Sequence, residues 1–190
     1  MSYTPFSSIS VPVVAAEPAS QRVRLAKESR KGQLEGHSAK RLANDYPLIV
    51  HSHLCWDWVW QRPQQFMSRL SQRHRVLFVE TLCPDESLVA PLAQLRRSER
   101  WPNLTRLRLQ FPSSRWSNGE WVDKERRRLV KETLKGPLRG QFRRSVQWFY
   151  DPMTVTAFAG QLGEVANVYD CMDELAQFKG APPGIRDREA

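Results

Sequence analysis

The sequence predicts an α/β fold with a mostly parallel sheet, and three observations carry that prediction. Short apolar runs recur from Tyr46 onward, separated by stretches of helical period, the alternation expected of βαβ units. Runs such as Val76-Leu77-Phe78-Val79 are continuously apolar, which suits strands covered by helices on both sheet faces. Polar residues gather just beyond the runs, where an open parallel sheet places its ligand crevice.

In chain order, residues 1–44 come first and lack a sustained hydrophobic period; Arg22 to Arg41 is dominated by Lys, Arg, Glu, Ser and Gly. Too little apolar area is available there to offset the entropy of ordering, so 1–44 is read as a disordered basic tail and 45–190 as one domain. Five strands are predicted: Leu48 to His51, Val76 to Glu80, Leu104 to Phe111, Val146 to Tyr150 and Asn167 to Asp170. Pro63 sits where a first-turn proline is tolerated, and Phe66, Met67 and Leu70 are expected to form the apolar face of the helix that follows. Asn118 is the expected cap of a helix reaching about Lys135. Asp151-Pro152 reads as the N-cap and first residue of a further helix, with Phe158 and Leu162 on one face and Gly163 as its stop.

Composition narrows the function classes. No run approaches the roughly 20 apolar residues of a spanning helix. The first twenty residues lack a basic segment ahead of an apolar core, so the expected location is cytoplasmic, peripheral to the inner face of the cell membrane. Three widely spaced cysteines, Cys55, Cys83 and Cys171, argue against a disulfide framework. They lack the close CxxC pairing of zinc sites, so no metal is assigned to them with His51 and His53. A net charge of +9 favours an acidic partner without choosing one. Between residues 121 and 144 nine Lys and Arg face three acids, but Val122, Leu129, Val130, Leu134 and Leu138 recur at nearly helical spacing. That run is read first as an amphipathic helix with a solvated basic face, then as a surface for anionic lipid; nucleic acid is not favoured.

Candidate site residues follow from the strand ends. After the first strand come His53, Trp56, Asp57, Trp60 and Arg62; the second ends at Glu80, the fourth at Asp151, the fifth at Asp170, Asp173 and Glu174. The tryptophans at 56, 58 and 60 either stack on a sugar or base or fill the gap between sheet and helix. Arg62 stands at a helix N-terminus, a position suited to an anionic or hydroxyl-rich ligand. No G-x-G-x-x-G follows the first strand, which weakens a dinucleotide reading.

Four motifs in order, Trp56-Asp57-x-x-Trp60-Gln-Arg62-Pro63-Gln, Val76-Leu-Phe-Val-Glu80, Tyr150-Asp151-Pro152 and Val168-Tyr-Asp-Cys-Met-Asp-Glu174-Leu-x-x-Phe178, resemble the N-terminal half of bacterial GT-B glycosyltransferases. The likeness is to the family-1/family-4-like group that includes teichuronic-acid-type transferases. The resemblance implies a Rossmann-like three-layer acceptor domain facing a second domain that holds a nucleotide sugar. It implies sugar transfer to a cell-surface polysaccharide or lipid-linked acceptor, with Asp57 or Asp151 acting on the acceptor hydroxyl and His53, Trp56, Trp60, Arg62, Glu80, Asp170, Asp173 and Glu174 binding substrate. No cofactor is implied beyond the nucleotide sugar itself. The donor domain of that family has no counterpart among the 190 residues, so the expectation is a truncated N-terminal half, inactive alone and needing a separate donor domain. The alternatives are a non-catalytic binding module and a basic membrane or nucleic-acid surface binder.

Overall fold

The computed structural model describes residues 46–179, 181 and 184–189; the predicted tail lies outside them. Six strands form one sheet: β1 (Leu48–Ser52), β2 (Val76–Thr81), β3 (Leu92–Arg97), β4 (Leu104–Gln110), β5 (Val146–Phe149) and β6 (Ala166–Tyr169). Their order across the sheet is β3-β4-β2-β1-β5-β6. Every pairing is parallel except β3 with β4. Helix α1 (Arg62–Leu70) connects β1 to β2; α2 (Ser113–Trp116) and α3 (Gly119–Lys135) lead from β4 to β5; α4 (Pro152–Phe158) leads to β6. A 3-10 turn at Leu175–Gln177 and α5 (Ile185–Glu189) follow.

Register assigns each strand residue to a face. Ile49 pairs with Leu77 and Gln147, and Val79 with Leu107. These side chains meet Leu129 and Val130 of α3 and Ala157 and Phe158 of α4 in one core. Leu48, Val50, Val76, Phe78 and Leu104 point to the opposite face and pack with Met67 of α1 and with Trp56. The result is a three-layer α/β fold with a Rossmann-like mostly parallel sheet. All five residues of β1 are buried, as expected of the central strand; each large apolar side chain so enclosed contributes roughly 1.5–3 kcal/mol.

Local chemistry explains the helix ends. The Asn118 side chain accepts from the Trp121 amide at 3.0 Å, as expected, and α3 runs to Lys135. Asp151 accepts from the Met153 amide at 2.9 Å, and Pro152 opens α4, also as expected.

Three local expectations need correction. The apolar face of α1 was placed on Phe66, Met67 and Leu70, but Pro63, Gln64, Met67 and Ser68 are the buried residues and Phe66 is exposed. Helix α4 ends at Phe158, not just before Gly163, because the chain leaves the helical path at Ala159, whose ψ is 125°, and turns through Gly160 at a φ of 75°. Strand β3 was not predicted. Its Ala93 and Leu95 pack on the α3 side while Gln94 and Arg96 alternate away, a two-residue period too short and too polar to stand out. The chain also forms α2, which no sequence signal had marked, and α5 at Ile185–Glu189, within the Gly180 to Ala190 segment that reads in the sequence as the entry of a helix.

The basic run of α3 is partly consumed inside the molecule. Arg126 is buried beside Asp123, Arg127 donates to the Ala157 carbonyl at 3.1 Å, and Arg128 bonds Glu125 and Glu132. No helix among the described residues is long and apolar enough to cross a membrane.

Candidate functional site

Strand β1 lies between β2 and β5, and the connections leave it toward opposite faces: α1 on one, α3 and α4 on the other. That reversal opens a crevice at the carboxyl ends of β1 and β5, the switch point where open α/β sheets bind ligands. The sequence-predicted residues fall into two groups around this rim.

The first group sits at the ends of β1, β5 and β6. Arg62 Nη2 meets Asp170 Oδ1 at 2.8 Å, with the arginine side chain 48% exposed and the aspartate 7%. His53 Nδ1 lies 3.2 Å from the Tyr150 carbonyl, tying the loop after β1 to the end of β5. Tyr150 Oη, Asp170 Oδ2 and Trp148 Nε1 are buried here without a well-aligned hydrogen bond. Burial pushes the Tyr150 phenol well above its ordinary pKa, and the nearby Asp170 charge adds to the rise. The phenol therefore stays protonated and available as a donor. Asp151 stands next in the chain, one oxygen engaged by the Met153 amide.

The second group sits at the ends of β2 and β4. Glu80 is buried and accepts from the Trp56 amide at 2.5 Å. Its other oxygen lies 3.1 Å from Arg108 Nε and 3.7 Å from Arg106 Nη2, close enough for ion pairing but without hydrogen-bond alignment. Burial pushes the Glu80 carboxyl up, against the pull of the Trp56 amide and the two arginines. Arg106 also grips both Asp57 oxygens at 2.6 Å, and that fork holds Asp57 below the usual carboxylate range.

Between the groups runs the 53–61 loop, shaped by Gln64. This fully buried side chain donates to the carbonyls of Cys55 and Val59 at 3.1 and 3.2 Å and accepts from the Gln61 amide at 3.1 Å. Trp56 is built into the core, edge-on to Phe78, Trp60 and Trp101. Its ring is the gap filler of the two roles foreseen. Trp60 stacks on Trp101 with centroids 5.4 Å apart and stays 44% exposed.

Asp173 and Glu174 are exposed on the loop after β6, where Glu174 accepts from Gln177 at 2.9 Å. No bond joins either of them to Arg62 or Asp170 among the described residues. His51, near the first group in sequence, points to the α3 and α4 side. It bonds Gln147 at 2.8 Å and stacks on Phe149 and Phe158.

Sequence reasoning missed Arg106, Arg108, Gln64, Tyr150 and Trp101. A signal existed for the first two: arginines at alternate positions of Thr105-Arg106-Leu107-Arg108-Leu109 must share one strand face. Gln64 carried none, since a polar residue in a first helical turn is ordinary.

Chemically, the first group offers a half-exposed guanidinium, an acid, a protonated phenol and an imidazole around one crevice. Such a set suits a polar, hydroxyl-bearing ligand. Comparison with family models, curated proteins and solved structures yields no match to this chain.

Proposed function

We propose that this chain is the acceptor side of a GT-B-type glycosyltransferase, acting with a donor-binding domain to move a sugar from a nucleotide sugar to a glycan or lipid-linked hydroxyl. One observation carries the reading. The four motifs behind the resemblance lie far apart in sequence, yet they converge on one rim of the sheet. Trp56 meets Glu80, Arg62 meets Asp170, and Tyr150 shares the burial site of Asp170.

The geometry also ranks the proposed roles. Asp57 has both oxygens on Arg106, so its part is to fix the tryptophan loop. Asp151 has Oδ1 on the Met153 amide, which leaves Oδ2 to accept a proton from an acceptor hydroxyl. Arg62, held by Asp170 and half in solvent, orients the acceptor or steadies charge that develops on the departing diphosphate. The donor domain supplies the anomeric carbon in near-attack geometry.

The test is a titration of isotope-labelled chain with a panel of cell-surface oligosaccharides, read by amide and side-chain resonances. Acceptor glycans should perturb His53, Arg62 and Asp170, and Arg62→Ala should weaken binding about tenfold, the cost of a charge-assisted hydrogen bond. A panel that leaves all three resonances unmoved overturns the reading. Adding nucleotide sugar and donor domain then separates transfer from binding without chemistry, because only a transferase releases nucleoside diphosphate.

A further inference from the structure

Beside the crevice the chain carries a surface that, Arg62 apart, sugar transfer does not use. Trp58 and Val59 stand 64% and 58% exposed at the tip of the 53–61 loop, and Phe66 is 43% exposed on α1. The tip is held in place at the start of α1: Gln64 bonds the Val59 carbonyl. Along that face Arg62, Gln65, Phe66, Arg69 and Leu70 line an open groove of 590 Å³. Arg62, Phe66 and Arg69 follow one another at spacings of four and three, which places them on a single helical stripe, and Arg73 stands in the turn just after the helix.

The charge of this surface is one-sided. From Trp58 to Val79 the chain holds four arginines and no acid. Arg62 is engaged by Asp170 and Arg75 by the Gln141 carbonyl; Arg69 is exposed with one nitrogen on the Gln65 carbonyl and no acid against it, and Arg73 faces solvent. The acids nearby are largely engaged as well: Asp57 by Arg106, Asp170 by Arg62, Glu174 by Gln177. Asp173 is exposed and opposes the field.

We propose that the loop tip and the outer face of α1 seat the protein on an anionic lipid surface. Trp58, Val59 and Phe66 enter the headgroup boundary, and Arg69 and Arg73 lie against lipid phosphates. Tryptophan suits that boundary because its ring is apolar and its N–H polar. Arginine suits it because its stem lies along apolar surface while its head reaches phosphate. An apolar protein face would match the rings but leave the arginine stripe without counter-charge, and a nucleic acid would match the arginines but not the aliphatic Val59. The inference does not depend on sugar transfer, and its test uses no sugar.

The experiment is co-sedimentation of the full chain with vesicles of phosphatidylcholine, with and without phosphatidylglycerol. Binding should require the anionic lipid. Arg69→Gln and Arg73→Gln should each weaken it about fivefold, the worth of one basic residue near an anionic surface. Trp58→Ala combined with Phe66→Ser should weaken it about tenfold or more through lost apolar burial. As an independent readout, brominated acyl chains should quench part of the tryptophan emission of the unmodified protein, and that part should vanish in Trp58→Ala. Equal binding to neutral vesicles overturns the proposal, as does unchanged binding by folded variants or absence of quenching. A solution dimer that Trp58→Ala dissociates would assign the surface to a second copy and equally overturn it.

Discussion

The two faces of the sheet bury polar groups in different ways. On the α3 and α4 side, His51 and Gln147 satisfy each other at 2.8 Å, and the Gln147 amide passes its donor to the Phe158 carbonyl at 2.8 Å. That pair is neutral: the bond to Gln147 Oε1 uses the His51 Nε2 proton, and burial lowers the imidazole pKa to about 4, while the buried Arg126 of the same side is set apart against Asp123. On the α1 side, Glu80 is enclosed together with Arg106 and Arg108, whose charges remain. A face closed by two helices can hold a neutral pair in a dry core. A face closed by one helix and a loop keeps charges, and it keeps them at the rim where a ligand would arrive.

The sharpest way to break this contrast is Glu80→Ala. It leaves Arg108 and the Trp56 amide without their carboxylate, while Arg106 keeps Asp57, and a loss of roughly 3 kcal/mol is expected in chemical denaturation. Glu80→Gln should cost clearly less, because it retains an acceptor for that amide and burial already favours the neutral form. Equal losses would mean that the charge alone matters.

The neutral face is tested by pH. His51 has a folded-state pKa of about 4 against 6.5 unfolded, so between these values the unfolded chain binds the extra proton. The contribution is complete above pH 6.5 and falls as pH drops through 6.5 toward 4, reaching about 3 kcal/mol lost at the lower end. Denaturation midpoints across that window should show the slope, and His51→Asn should remove it.

A smaller effect separates capping from chemistry at Asp151. Asp151→Ala should cost about 1 kcal/mol through the lost N-cap, while Asp151→Ser should recover most of that stability. Serine cannot serve as a carboxylate base, so transfer by an assembled enzyme should stay abolished in both. Smallest of all is Trp58→Ala, expected within about 0.5 kcal/mol of the parent because its ring packs little. A larger loss would show that the loop tip supports the fold.

How much of this was legible in the sequence depended on burial. Strands β1 and β2 announced themselves because continuous apolar runs have few alternatives, β4, β5 and β6 showed as shorter runs broken by polar residues, and α3 and α4 began at capping residues with a direct chemical signature. Phe66 misled because helical period identifies a stripe without saying what covers it; the buried stripe includes Gln64 and Ser68, which period alone scores as polar. Arg62 and Asp170 were both legible as rim residues, but their pairing depends on β6 lying beside β5, a long-range fact absent from local pattern. Glu80 was read as a ligand-binding strand end, whereas its burial between Trp56 and two arginines follows from β4, whose arginines were read through as part of an apolar run.

Strand β3 gives the sheet a protected boundary. It runs against its neighbour at the outermost position, presenting Arg96 and Arg97 at its end and Gln94 between them and Leu92. Like charges repel an incoming strand from another molecule. At the opposite boundary β6 reads Ala-Asn-Val-Tyr, without a charge. Repulsion of this kind acts between two β3 borders, which both carry the arginines, and is absent at the uncharged β6 border.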